Sequence, residues 1–222
     1  MNRRPMIVTS IAIVTAMFLI SAWAWLQLPA DAQVPIHWGP DGQPDGWADK
    51  TVGLLLLPFL ASGVAALLAI IPRIEPRRTN IERSGKAYGA IWIGVMALLG
   101  GLHVLAVSVA MGAAVDITRL LFVGMGVLFI VIGNYLPKVR SNYMAGIRTP
   151  WTLTSEVAWT KTHRLGGWLF VIEGIVFLVL GLAGTTGTLL ITAVIGGLLV
   201  LVGVTFAYSY FVWKADPERR TQ

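Results

Sequence analysis

Two polar intervals and one acid inside an apolar run hold nearly all the side chains in this chain that could do chemistry. The longer interval runs from Asn134 to Gly167 and reads NYLPKVRSNYMAGIRTPWTLTSEVAWTKTHRLGG. It gathers the cations Lys138, Arg140, Arg148, Lys161 and Arg164, the aromatic side chains Tyr143, Trp151 and Trp159, and the hydrogen-bonders Asn142, Thr149, Thr152, Thr162 and His163. His163 is a candidate base, but no serine or cysteine is placed for it, and Gly146 to Thr154 holds no nucleophile–base pair with a third orienting group. The shorter interval, Pro35 to Lys50, reads PIHWGPDGQPDGWADK. His37, Asp41, Asp45 and Asp49 are metal-ligand types, yet their spacing is not that of a calcium loop with ligands at alternate positions. The expectation is that these aspartates shape turns and stay solvated, and that His37 is a hydrogen-bonded structural residue. Glu173 stands alone in an apolar run, where a carboxylate is costly unless it is protonated, paired or facing a wet interior.

The elements that position these groups follow from composition. Of 222 residues, 56% are apolar and 13% charged, well below the roughly 25% charged residues of a soluble domain. Six intervals carry almost no charge over about 18 residues or more, the mark of transmembrane helices. The expected fold is therefore all-α and polytopic. Its spans are about Met6–Leu28, Val52–Ile71 (with Pro72 as its stop), Ala87–Ala110, Ile117–Leu136, Leu165–Ala183 and Thr188–Trp213. The first run is too long for a signal-peptide core of about 7–15 residues, so it is expected to be a retained span. Asp116 is an expected N-cap, and Thr154 or Ser155 another. A short amphipathic helix ending near His163 is expected to lie on the membrane, with Trp151 and Trp159 in the interface and Lys161 and Arg164 at the headgroups. In the shorter interval Val34, Ile36 and Trp38 alternate, and Asp41-Gly42 and Asp45-Gly46 signal turns, so a strand or hairpin is expected.

Charge sorts by side. Fifteen of the 17 Lys and Arg fall at the N-terminus, between Arg73 and Lys86, in the longer polar interval and in the tail; the other two are Lys50 and Arg119. The positive-inside rule puts both termini in the cytoplasm and the Pro29–Thr51 loop outside. The net charge of +6 then reflects orientation, not nucleic acid. The chain has no cysteine, which excludes disulfide and thiolate chemistry. Small residues recur every seven positions at Gly94, Gly101 and Ser108; Gly126 and Gly133; Gly167, Gly174 and Gly181; Gly196 and Gly203. That repeat predicts close, left-handed packing of spans three to six. Asn134 is expected to be packing glue. His103 and Glu173 are expected at different depths, and so are poor partners.

The longer interval also resembles the signature of the SdpI family of bacterial membrane proteins. The matching residues are Gly133-Asn134, Pro137-Lys138, Asn142, Gly146-Ile147-Arg148-Thr149-Pro150-Trp151-Thr152-Leu153, Trp159, Thr162-His163-Arg164 and Gly167. Pro35, His37, Trp38, Gly42, Asp45, Gly46 and Lys50 match an N-terminal domain of unknown function often found with that family. The resemblance implies a two-span module over 1–86 and a four-span module over 87–222, in a bacterial cell membrane. It also implies immunity to a secreted toxic peptide and, with it, retention of a soluble repressor at the membrane. It carries over no enzymatic activity and no cofactor.

The candidate ligand- or partner-binding residues are therefore His37, Trp38, Asp45 and Lys50 outside. Inside they are Asn134, Asn142, Arg148, Thr149, Pro150, Trp151, Thr162, His163 and Arg164, with Glu173 in the membrane. Expected partners are membrane lipid, a secreted peptide and a soluble repressor. The alternative is a small transporter or lipid-handling protein working through Glu173 and Asn134. A membrane enzyme using His163, Arg148 or His37 ranks last.

Overall fold

The computed structural model describes residues 1–219; the end of the tail, with Arg220 of the charge count, lies outside the described residues. Six helical segments among the described residues are long and apolar enough to cross a membrane. In chain order the elements are α1 (Arg4–Gln27), strands β1 (Gln33–Trp38) and β2 (Pro44–Asp49), α2 (Lys50–Ile74), the short α3 (Arg78–Arg83), α4 (Gly85–Ala110) and α5 (Ile117–Tyr135). A 3-10 turn at Leu136–Lys138, the short α6 (Pro150–Thr154), α7 (Glu156–Ala183) and α8 (Gly187–Lys214) complete the chain. The expected caps form: Asp116 accepts from the Arg119 amide and Ser155 from that of Ala158.

Pro72 does not stop the second span. Helix α2 passes through Pro58 and Pro72 to Ile74. A proline inside a helix lacks the amide that would bond the carbonyl four residues back. Those carbonyls belong to Leu54 and Leu68, and each takes a hydroxyl from a neighbouring span. Ser21 Oγ on α1 donates to the Leu54 carbonyl at 2.7 Å, and Tyr88 Oη on α4 donates to that of Leu68 at 2.6 Å. Lipid offers no alternative donor, so the two prolines tie α2 to both neighbours. His103 joins them: its Nε2–H points at Ser21 Oγ (3.1 Å) and the Met17 carbonyl (3.0 Å). Trp92 Nε1 donates to Ser10 Oγ at 2.8 Å. Met6, Met17, Ala61, Trp92 and Met96 fill the core of this group. Helix α4 packs on α1 and α2 and also on α5.

The other spans meet through glycine. Lipid tails are as apolar as leucine, so helices associate in a membrane by packing and hydrogen bonds, not by hydrophobic burial. Helices α5 and α7 make the most extensive contact in the molecule. A Cβ on Gly133 would lie 2.5 Å from the Gly167 carbonyl oxygen, and one on Gly126 would lie 2.7 Å from that of Gly174. The reciprocal placements at Gly167 and Gly174 are as tight, and Gly181 lies against Arg119 and Val123. The seven-residue stripe thus sets the α5–α7 approach, and Gly94 abuts Leu128 across α4 and α5. The stripe fails on α8 and on part of α4. Gly101, Gly196 and Gly203 have open space beside them; the packing glycine on α8 is Gly197, set against the Glu173 carboxyl.

The amphipathic surface helix is also corrected. It is continuous with the fifth span, because α7 begins at Glu156. Trp159 is buried, not interfacial. Its indole Nε1 donates to the Val139 carbonyl at 2.8 Å, which draws the first turns of α7 onto the bundle.

Candidate functional site

At the end of the bundle that carries most of the cations, the longer polar interval folds into a hydrogen-bonded knot. Asn142 is fully buried; its Nδ2 donates to the carbonyls of Arg140 and Ala145, and its Oδ1 accepts from the amides of Met144 and Ala145. One side chain thus closes a loop whose polar backbone would otherwise go unpaired. Gly146 has φ of +112°, and a Cβ there would strike His163 Nε2. His163 is buried and stacked on Trp159 at 4.0 Å. The Ile147 amide donates to His163 Nε2 at 3.1 Å, while Nδ1 bonds the Trp159 carbonyl at 2.9 Å. Nδ1 therefore carries the proton, and the ring keeps no free lone pair with which to act as a base.

Thr149 and Thr152 form a reciprocal capping box at the start of α6, where Pro150 occupies the first turn. Thr149 Oγ1 also donates to Ser209 Oγ on α8 at 3.0 Å, and Thr152 Oγ1 donates to the Ile147 carbonyl at 2.9 Å. Trp151 packs edge-on against Phe206 and Tyr210 of α8. Arg148 is exposed and reaches back to the Tyr143 carbonyl, and Arg164 is exposed. Thr162 is buried, with its hydroxyl unpartnered. Asn134, expected to join helices, instead donates to the Ile130 carbonyl of its own helix.

Residues that sequence reasoning passed over bind this knot to the rest of the same end of the bundle. Glu75 is buried and accepts from the amides of Arg77 (2.8 Å) and Tyr143 (3.1 Å). The Arg77 guanidinium donates to Ser141 Oγ, to Tyr143 Oη and to the Leu153 carbonyl, and lies over the Tyr143 ring. Ser84 Oγ accepts from the Arg140 amide. Ser155 Oγ donates to the buried Asp216 of the tail at 2.5 Å. Most of these partners are more than sixty residues apart in sequence, and no local spacing announces them. At the edge of the knot, the hydrogen bond from Arg78 holds the exposed Glu82 carboxyl below the usual carboxylate range.

The opposite end is built otherwise. Strands β1 and β2 pair antiparallel, with Gln33 opposite Asp49. Val34 is buried against Gly53 at the start of α2, where a side chain would collide with it. At the turn the Pro40 carbonyl accepts from the Gly187 amide at the first residue of α8, and Gly42 lies beside Thr118 of α5 and its cap Asp116. The hairpin thus arches from α2 across to α5 and α8. Beneath it lies a cavity of about 550 Å³ lined by Ile36, Trp38, Leu56, Phe122, Val194 and Ile195, among others. His37 Nδ1 and Asp45 Oδ1 meet at 2.5 Å on the exposed face. Lys50 is buried; its Nζ donates to the Leu28 carbonyl at 2.7 Å and lies over the Trp25 ring. Among the described residues, no three histidine or acidic side chains come together as a metal site.

Glu173 is 6% exposed, and its Oε1 has no hydrogen-bond partner. It lies ten residues before the end of α7, roughly 15 Å along the helix axis. His103 is bonded elsewhere, to α1, so the structure does not bring these two together as a hydrogen-bonded pair.

Comparison with known proteins agrees with both ends of this arrangement. Residues 138–209 match the SdpI/YfhL protein family, and residues 12–61 match a domain of unknown function, DUF1648. The first range spans most of the knot, α7 and most of α8; the second spans the greater part of α1, the hairpin and the first half of α2. The chain is 25% identical over 207 residues, 92% of its length, to the Immunity protein SdpI of Bacillus subtilis (strain 168), and covers 95% of that protein. No solved structure matches it. With six helices long and apolar enough to cross a membrane and both matched segments where the sequence predicts them, the chain is similar to the SdpI/YfhL family over residues 138–209 and to DUF1648 over residues 12–61.

Proposed function

We propose that the protein is an immunity protein of the bacterial cell membrane, protecting the cell that makes it from a secreted toxic peptide. The observation that carries this is the likeness to an immunity protein along almost the whole chain, hairpin and knot included. The architecture is compatible with it: an exposed hairpin on the expected outward side is joined through the spans to a hydrogen-bonded cationic platform on the other. That platform presents Arg78, Arg83, Lys86, Arg140, Arg148, Lys161 and Arg164 to solvent. It is where a soluble repressor would be held, so that the cell makes more immunity protein when the peptide is present. Candidate contact residues are those facing solvent, His37, Asp45, Arg148 and Arg164; Lys50, Asn142, Thr149, Thr152 and His163 hold the frame. The test is expression in a peptide-sensitive bacterial strain. Increased survival against at least one member of a panel of membrane-active secreted peptides is expected, and unchanged survival across the panel rules the role out.

The unpartnered Glu173 Oε1 favours a second role, a small transporter or lipid-handling protein that uses this carboxyl in mid-membrane. It requires Glu173→Gln to abolish a flux in proteoliposomes while the protein stays folded. The glycine-to-backbone contact of α5 and α7 leaves no wide path between those two helices.

A further inference from the structure

We infer that the crevice beneath the hairpin is the docking site for a cationic amphipathic peptide: its apolar face enters between α2 and α8, and its basic face meets the acidic rim. The inference rests on the immunity role and names the surface and chemistry that role would use. Three features of the crevice point to this occupant.

The walls are apolar and come from both halves of the molecule, with Leu56 on α2, Phe122 on α5 and Val194 and Ile195 on α8. Leu56 and Ile195 are about half exposed, so the crevice opens sideways at the level where lipid would lie. Its volume of about 550 Å³ falls within the range of sites that enclose a drug-sized ligand, which suits a few large apolar side chains.

The rim is acidic. The outward segments carry Asp31, Asp41, Asp45, Asp49 and Asp116 against Lys50 and Arg119. Both cations are already engaged: Lys50 Nζ donates to the Leu28 carbonyl and the Arg119 guanidinium to the Leu182 carbonyl. Asp31, Asp41 and Asp45 are exposed, and Asp41 sits at the turn that roofs the crevice. Like charge around the mouth repels anionic groups and draws cations, and so selects among ligands.

The same rim disfavours a phospholipid. A phosphate headgroup above the crevice would find carboxylates and no uncommitted Lys or Arg among the described residues of the outward face. The hairpin also covers the place a headgroup would take, with Ile36 and Trp38 lining the cavity from above. An acyl chain alone would gain nothing over bulk lipid, which is as apolar. A peptide brings both the apolar face and the cations.

The full-length protein in phosphatidylcholine nanodiscs tests this with a 20-residue Lys/Leu amphipathic helix bearing a photoreactive leucine, and with an otherwise identical Gln/Leu helix. The Lys/Leu probe is expected to cross-link to α2 and α8 residues of the crevice, and empty nanodiscs set the background. Leu56→Trp and Val194→Trp fill the crevice from opposite walls and are expected to weaken binding about tenfold or more. Asp41→Asn is expected to weaken it about two- to fivefold at low salt, with the difference fading as salt rises. Size-exclusion profile and circular dichroism confirm that each variant is folded. Equal binding by both folded tryptophan variants, equal binding of the Gln/Leu probe, or spin-labelled phosphatidylcholine immobilised in the crevice and undisplaced by the Lys/Leu probe would overturn the proposal. A cellular arm separates it from the role beneath it. Protection by the wild type but not by Leu56→Trp supports the crevice; equal protection by both removes the crevice and leaves immunity standing. Protection by neither removes both.

Discussion

The two ends of this bundle spend their polar residues in opposite ways. At the end that carries most of the cations, the polar side chains at the centre of the signature are buried and bonded: Asn142 closes a loop, Thr149 and Thr152 cap a helix, and His163 accepts from one backbone and donates to another. At the hairpin end the histidine and aspartate side chains are exposed, Lys50 being the buried exception, and the structure keeps an open apolar volume under the hairpin. A dense run of motif residues here marks a frame, while the sparser hairpin leaves surface and space for a ligand. Motif density and chemical availability are different things, because backbone that crosses a fold outside helices must be paired by someone's side chain.

Substitutions can break that contrast, and the largest effect is expected where backbones touch. Gly174→Leu must push α5 and α7 apart against the Gly126 carbonyl. A cost of at least about 3 kcal/mol is expected, read as loss of monodisperse protein in detergent. Next is Glu75→Ala, which strands the Arg77 and Tyr143 amides inside the knot. Each buried amide left unpaired costs about 1–3 kcal/mol, and a lower melting temperature by tryptophan fluorescence, with faster proteolysis at the Ser141–Ile147 loop, is expected. Trp159→Phe keeps the ring but loses the bond to the Val139 carbonyl, for about 1 kcal/mol. The smallest is His37→Ala, which removes an exposed pair worth less than about 1 kcal/mol. Its melting temperature is expected to stay within error of the wild type. A large loss at His37 together with none at Glu75 would reverse the contrast between the ends.

The spans were legible because lipid imposes length and excludes charge, constraints that a single sequence displays openly. The hairpin was legible from Asp41-Gly42 and the alternation of Val34, Ile36 and Trp38, and the caps at Asp116 and Ser155 from residue type. The start of α7 was not. Lys161, His163 and Arg164 broke the apolar run and looked like a separate surface helix, while burial of Trp159 against Val139 keeps one continuous helix. The glycine stripe told which face of α5 and α7 is packed, but on α8 the packed glycine is Gly197, chosen by the bulk of Glu173 opposite it. Pro72 looked like a stop because the hydroxyl that satisfies its orphaned carbonyl comes from Tyr88, on another helix. Glu75, Arg77 and Asp216 gave no signal at all, since their partners are distant in sequence and each looks like an ordinary loop charge.

The contrast stands on one assignment: the hairpin faces out and the knot faces in. The chain has no cysteine, so single substitutions can report it cleanly. Intact cells expressing Trp47→Cys or Lys161→Cys, both at exposed positions, are treated with a membrane-impermeant maleimide. Labelling at position 47, with labelling at position 161 only after the membrane is permeabilised, is the predicted result; the reverse pattern, or both positions labelled in intact cells, contradicts it.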